Sequence, residues 1–141
     1  MKRTGGFSMV ELVIVLMVGG VLMGIAIPTI SPVMNNFQAR SAQNSFVSIV
    51  GKARAQAIER GTEVRFYVNM AGDSAWVEGD DGAYRFRDRN GVDLQSTVGS
   101  IEMIMTPRGF ARGTSSSVTV RFVRGSAQSE VTLLPLGQVV F

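Results

Sequence analysis

The sequence predicts an α+β fold, a long N-terminal helix packed on a small antiparallel β-sheet domain, and three observations predict it. Residues 12–28 carry no charged or hydrogen-bonding side chain. Phe46, Val50, Ala53 and Ala57 recur at helical spacing, the stripe of an amphipathic helix. After Gly61 the hydrophobic period changes to two: Val64, Phe66 and Val68 alternate with Glu63, Arg65, Tyr67 and Asn69. A long helix followed only by short strands and turns leaves the helix covering one sheet face.

The helix comes first. Its apolar run, residues 9–30, is 22 residues long, which at a rise of about 1.5 Å each spans roughly 30 Å of hydrocarbon. Lys2 and Arg3 precede that run and place the N-terminus in the cytoplasm with the rest outside. Pro28 and Pro32 lie at its far end. Good helix formers return directly after them, so the expectation is a kinked helix that resumes. Arg60 and then Gly61 supply a basic last turn and a natural C-cap. One helix from Ser8 to about Arg60 follows.

The strands come next. After the strand at 64–68, an Ala71-Gly72-Asp73 turn leads to 75–78, and Gly79-Asp80-Asp81-Gly82 turns that into a strand at 83–87. Asp88-Arg89-Asn90-Gly91 is another turn signal. Residues 101–105, 117–123, 130–134 and 139–141 read as further strands, separated by Pro107-Arg108-Gly109, Arg124-Gly125-Ser126 and Pro135-Leu136-Gly137.

Composition removes several kinds of chemistry. The 141 residues include no Cys and no His, which excludes disulfides, thiol chemistry and imidazole acid–base catalysis. Paired carboxylates occur only in turns, so the expectation is a protein that is not an enzyme and needs no cofactor. The formal net charge is +3, but the basic excess lies early in the chain. Residues 61–141 hold eight Arg against nine acids, which leaves −1, and gives no electrostatic case for nucleic acid.

Between Arg3 and Arg40 there is one charge, Glu11, at the mouth of the membrane-length run. A carboxylate at a membrane-helix centre costs roughly 2.5–3.5 kcal/mol on insertion scales, so such an acid defaults to a functional site with a partner. The stretch Lys2-Arg3-Thr4-Gly5-Gly6-Phe7-Ser8-Met9-Val10-Glu11 strongly resembles the processing site of type IV prepilins and pseudopilins. The helix-then-strands order further resembles the GspH/FimT family of minor pseudopilins and minor pilins. Three local matches extend that resemblance: Ala55-Gln56-Ala57 followed by Arg60-Gly61-Thr62, the Thr106-Pro107-Arg108-Gly109 turn, and the closing Leu134-Pro135-Leu136-Gly137 turn. Where family members often carry Gly-Arg in the closing turn, this chain has Gly137-Gln138.

The resemblance implies that a membrane-embedded aspartic prepilin peptidase cuts after Gly6 and N-methylates Phe7. Cleavage creates an α-amine on Phe7, one helical turn from Glu11. In a staggered filament the amine of one subunit can neutralise the glutamate of its neighbour at low dielectric, so Glu11 selects register during assembly. The implied partners are the prepilin peptidase, other pilin or pseudopilin subunits in a hetero-oligomeric filament, and an inner-membrane assembly platform. The expected organisation is a leader at 1–6, a transmembrane segment at 7–30, an amphipathic continuation at 31–60 and a periplasmic antiparallel β domain at 61–141. Such a subunit starts in the bacterial inner membrane and ends in a type II secretion pseudopilus or a type IV pilus.

Rival readings attach to several residues. An ordinary signal peptide would be cut near Gly24-Ile25-Ala26, but an acid inside the run and its length oppose that. Gly20 and Gly24 form a small-xxx-small match that permits close helix packing. Asp80, Asp81, Asp88 and Asp93 with Asn90 lack the spacing of an EF-hand loop, so no metal is expected. Arg85, Arg87 and Arg89 would alternate along one strand face, with Arg121 and Arg124 later, and could suggest a phosphate-binding patch. Neighbouring acids favour a solvated strand face instead. The alternative function, a DNA-binding minor pilin for uptake in natural transformation, is opposed by Gln138 and by the neutral distal domain.

Overall fold

The computed structural model describes residues 6–141, apart from the side chains of residues 25–29. Lys2 and Arg3 therefore lie outside the described residues, as does the side chain of Pro28. The chain divides into two compact units between Met34 and Asn35.

A 52-residue helix, α1 (Met9–Arg60), opens the fold. It is assigned as helix through both prolines, in keeping with a helix that resumes. The helix ends where Gly61 takes φ +64°, a left-handed conformation without cost to glycine. In the second unit its buried face is Ala39, Ala42, Phe46, Val50, Ala53 and Ala57. Alanine at four of these six positions lets strand side chains approach the helix axis closely, and Phe46 projects from between them as the large group.

Nine strands follow, paired into two sheets. The first contains β1 (Val64–Asn69), β2 (Ser74–Val77), β3 (Tyr84–Arg85), β5 (Ser100–Met105) and β6 (Ala111–Arg112), in the order β3-β2-β1-β5-β6. The second contains β4 (Asp93–Ser96), β7 (Val118–Arg124), β8 (Ala127–Leu133) and β9 (Val139–Val140), in the order β4-β7-β8-β9. Every pairing is antiparallel. Period-two burial holds where the sequence shows it: Val64, Phe66 and Val68 in β1, and Val118, Val120 and Phe122 in β7, are buried.

The core is organised by four fully buried phenylalanines. Phe46 of α1 meets Phe66 of the first sheet edge-to-face at 5.8 Å and Phe122 of the second at 5.5 Å. Phe86, from a short helix α2 (Phe86–Asn90), sits 5.7 Å from Phe122 and 6.3 Å from Phe46. Both helices and both sheets thus contribute one ring each, in the tilted and edge-on geometries that aromatic quadrupoles favour.

Several sequence expectations are corrected here. The antiparallel β domain is as expected, and its strands divide into two sheets, which the sequence pattern did not specify. The strand expected at 83–87 stops at Arg85, and Asp88-Arg89-Asn90 belong to α2, closed by Gly91 at φ +61°. Arg85, Arg87 and Arg89 consequently do not line one strand face. Strands β4 and β6 had no sequence expectation. The reason is tertiary: Phe86 and Asn90 are both buried, and one helical turn is the backbone path that places both inward, overriding weak local propensity.

Among the described residues, all buried hydrophobics of the core lie at Ala39 or beyond. A chain truncated to begin at Asn35 is therefore expected to be soluble and folded, with mixed helix and strand by circular dichroism. An aggregated or unstructured product would show that the β-rich unit depends on the segment before it.

Candidate processing and assembly site

The site begins where backbone conformation changes. Gly6, Phe7 and Ser8 precede the helix, and Phe7 is 80% exposed. Ser8 closes the helix start: its Oγ accepts the Val10 N–H at 3.2 Å, and its carbonyl accepts the Leu12 N–H at 3.1 Å. That is an N-cap, which satisfies one of the donors a helix start leaves free. The spacing Ser8-x-x-Glu11 has the form of a capping box, a local sequence signal for this helix start.

Glu11 lies in the first turn of α1, exposed, and pairs with no other described residue. A carboxylate there is favoured by the positive end of the helix dipole. Beyond it, the apolar side chains from Met9 to Met23 are exposed on all sides, from 47% at Val13 to 87% at Met9. A Cβ added at Gly20 or Gly24 would meet nothing within 4 Å, so neither glycine packs against this chain's own described residues. Among the described residues no helix is long and apolar enough to cross a membrane.

Two of the three short stretches that carried the subfamily resemblance, the 106–109 and 134–137 turns, lie beside Arg54 near the C-terminal end of α1. The Thr106–Phe110 turn closes through Thr106 N–H to the Phe110 carbonyl at 2.8 Å and Gly109 N–H to the Thr106 carbonyl at 2.9 Å. In the closing turn Gly137 N–H donates to the Leu134 carbonyl at 2.8 Å. Ala111 N–H then reaches the Leu136 carbonyl at 3.0 Å, tying the edge of the first sheet to the second. Arg54 of α1 donates to the Gly137 carbonyl. Gly137 has φ +81°, and a Cβ there would stand 2.6 Å from the Ala111 Cβ. Only glycine fits that crossing.

The arginines considered as a phosphate patch are each engaged by the protein. Arg87 pairs with Asp73 and with Asp93, both at 2.9 Å. Arg89 lies 4.7 Å over the Tyr84 ring, and Arg121 faces Glu130 across the β7–β8 pair at 3.3 Å. Arg124 donates to Asn35 Oδ1 at 3.1 Å and to the Asn90 carbonyl. Arg85 approaches Asp88 at 3.9 Å while both remain largely exposed. The acids are correspondingly dispersed. Asp80 accepts from Lys52 at 2.8 Å and from Gln56 at 3.1 Å; the Lys52 ammonium first, and then Gln56, hold its carboxyl below the usual range, against partial burial that pushes it up.

Two buried polar residues escaped the sequence reading. Asp73 has φ +44°, yet its Oδ1 accepts the Leu94 N–H at 2.6 Å, its Oδ2 holds Arg87, and its carbonyl accepts the Phe86 N–H at 2.8 Å. It thereby joins the β1–β2 turn to α2 and β4, and a left-handed Asp is a tolerated exception. Asn90 accepts from the Tyr84 hydroxyl at 2.9 Å and donates to Gln38 at 3.3 Å, clasping α2 to α1. Neither role has a local signature, because Asp73 reaches Leu94 across 21 positions and Asn90 reaches Gln38 across 52.

Together these features give a pilin-like α+β fold, with a helix packed on antiparallel sheets in the second unit and an exposed apolar helix carrying an acid in its first turn in the first. Comparison with known proteins agrees with that class. Residues 1–27 match the prokaryotic N-terminal methylation motif, found in type IV pilins. Over 151 aligned positions the chain is 26% identical to the pilin-like protein PilA1 of Thermus thermophilus, covering 94% of this chain and 95% of that protein. No solved structure gives a significant match.

Proposed function

We propose that this chain is a minor pseudopilin or minor pilin of the GspH/FimT kind. It is held in the bacterial inner membrane by one pass, with its N-terminus cytoplasmic and its β domain periplasmic. A prepilin peptidase removes residues 1–6 and methylates Phe7, and the product joins other subunits in a type II secretion pseudopilus or a type IV pilus. The observation that carries this reading is the helix exposed and apolar on every side with Glu11 in its first turn. A surface of that kind is stable only in lipid or among other apolar helices, and the 22-residue run over 9–30 matches hydrocarbon thickness. The converged turns at the end of α1 support the subfamily. DNA capture finds no support in the arginines, which the protein's own acids, carbonyls and rings occupy.

Intact mass and N-terminal sequencing of membrane-extracted protein test the reading. Loss of residues 1–6 and an added methyl on Phe7 are expected. A mature chain starting at Ile27 would show an ordinary signal peptide instead.

A further inference from the structure

We infer that Ser8 is a positioning residue for that processing step, acting by holding the Gly6–Phe7 bond outside the helix. The inference rests on the processing reading above. Its basis is the cap itself: Ser8 Oγ on the Val10 N–H at 3.2 Å, with α1 starting at Met9 and residues 6–8 non-helical. A peptidase needs the carbonyl of Gly6 and the amide of Phe7 accessible from both sides, and backbone outside regular structure meets that need.

Loss of the cap moves the helix start in a definite direction. Fraying inward would break the Leu12 N–H hydrogen bond to the Ser8 carbonyl and leave that amide, with the uncapped Val10 amide, free at the edge of the apolar segment, where unsatisfied backbone is costly. Extension outward is the other course, and the next residue upstream able to cap is Thr4. A helix capped at Thr4 would place Gly6 and Phe7 in its first turn and close the scissile bond to attack. Ser8 thus specifies where the helix stops short of the cleavage point, while Gly5 and Gly6 disfavour extension without forbidding it.

The test is the cleavage rate of full chains in membrane vesicles with a purified prepilin peptidase, followed by intact mass. The variants are Ser8→Thr, Ser8→Asn, Ser8→Ala and Ser8→Val. N-cap preference ranks Asn and Ser first, Thr close behind, and Ala and Val far below. Rates are expected to follow that ranking: Ser8→Asn and Ser8→Thr near the parent, Ser8→Ala and Ser8→Val slower by about fivefold, in kcat rather than KM. Equal rates for Ser8→Ala and the parent would overturn the inference. So would an order following side-chain size, with Ser8→Ala fast and Ser8→Asn slow, since the enzyme would then be reading the side chain and not the helix start. Absence of parent cleavage between Gly6 and Phe7 would overturn the processing reading itself, a result distinguishable from either.

Discussion

A Glu11→Val chain is expected to insert and be cleaved like the parent yet to fall at least about tenfold in sheared filaments. The basis is the isolation of this acid: it is the one charge between Arg3 and Arg40, and no other described residue pairs with it. A carboxylate at a membrane-helix centre costs roughly 2.5–3.5 kcal/mol; Glu11 lies at the mouth of the run, so removing it eases insertion by less than that. Assembly has the opposite sign. On the proposed processing, a subunit starting at Phe7 would carry an α-amine that needs a counter-charge once helices bundle and water is excluded, and one lost partner of a buried pair leaves the other uncompensated at about 3–5 kcal/mol. Each step of about 1.4 kcal/mol is tenfold in an equilibrium constant, so even a partly relaxed site gives a large deficit. Comparison of filament and membrane fractions reads the effect. Normal incorporation of the Val chain would make the glutamate a passenger, as at a tip position with no subunit ahead.

Phe46→Ala is expected to destabilise the β-rich unit by about 3–5 kcal/mol, the usual cost of removing a buried aromatic ring and leaving its cavity. Phe46 is fully buried and touches one ring from each sheet and one from α2. Backbone attached to four elements collapses poorly into the space, which puts the change toward the upper part of that range. Stabilities of most domains are about 5–15 kcal/mol, so the variant approaches unfolding at ambient temperature. The chain contains one tryptophan, Trp76, stacked on Tyr67 across the β1–β2 pair at 5.2 Å. Its fluorescence in a urea titration of detergent-solubilised full chain reports the transition. Phe110→Ala, at a ring 54% exposed, should change stability by no more than about 0.5 kcal/mol. Similar shifts for the two variants would deny the four-ring cluster its central place.

The long helix was legible from sequence because everything that specifies it is local. Helical spacing of Phe46, Val50, Ala53 and Ala57, glycine after Arg60 and alternation over 64–68 each depend on residues a few positions apart, and all three appear as read. Glu11 stood out for the same reason, as a charge in an apolar run. The strand segments were mostly found, but not their division into two sheets. Antiparallel alternation marks a strand without naming its partner, and pairings such as β1 with β5 or β4 with β7 bridge long stretches of chain, as in Val64 with Met105 and Asp93 with Val123.

The short helix α2 and the occupied arginines show the limit most sharply. Local composition makes Asp88-Arg89-Asn90-Gly91 a turn and Arg85-x-Arg87-x-Arg89 an alternating strand face. Only the completed fold offers Asn90 the Tyr84 hydroxyl and the Gln38 amide, and Arg87 the buried Asp73. The sequence by itself determined the helix, its stripe, the processing motif and the positions of most strands. Tertiary structure decided the two-sheet layering, the helical turn at 86–90, the joining of two turns at one crossing beside Arg54, and which charges remain free. The physical reason is that periodicity is a property of neighbouring residues, whereas satisfying a buried carboxylate or amide depends on groups that only the folded chain brings within hydrogen-bond distance.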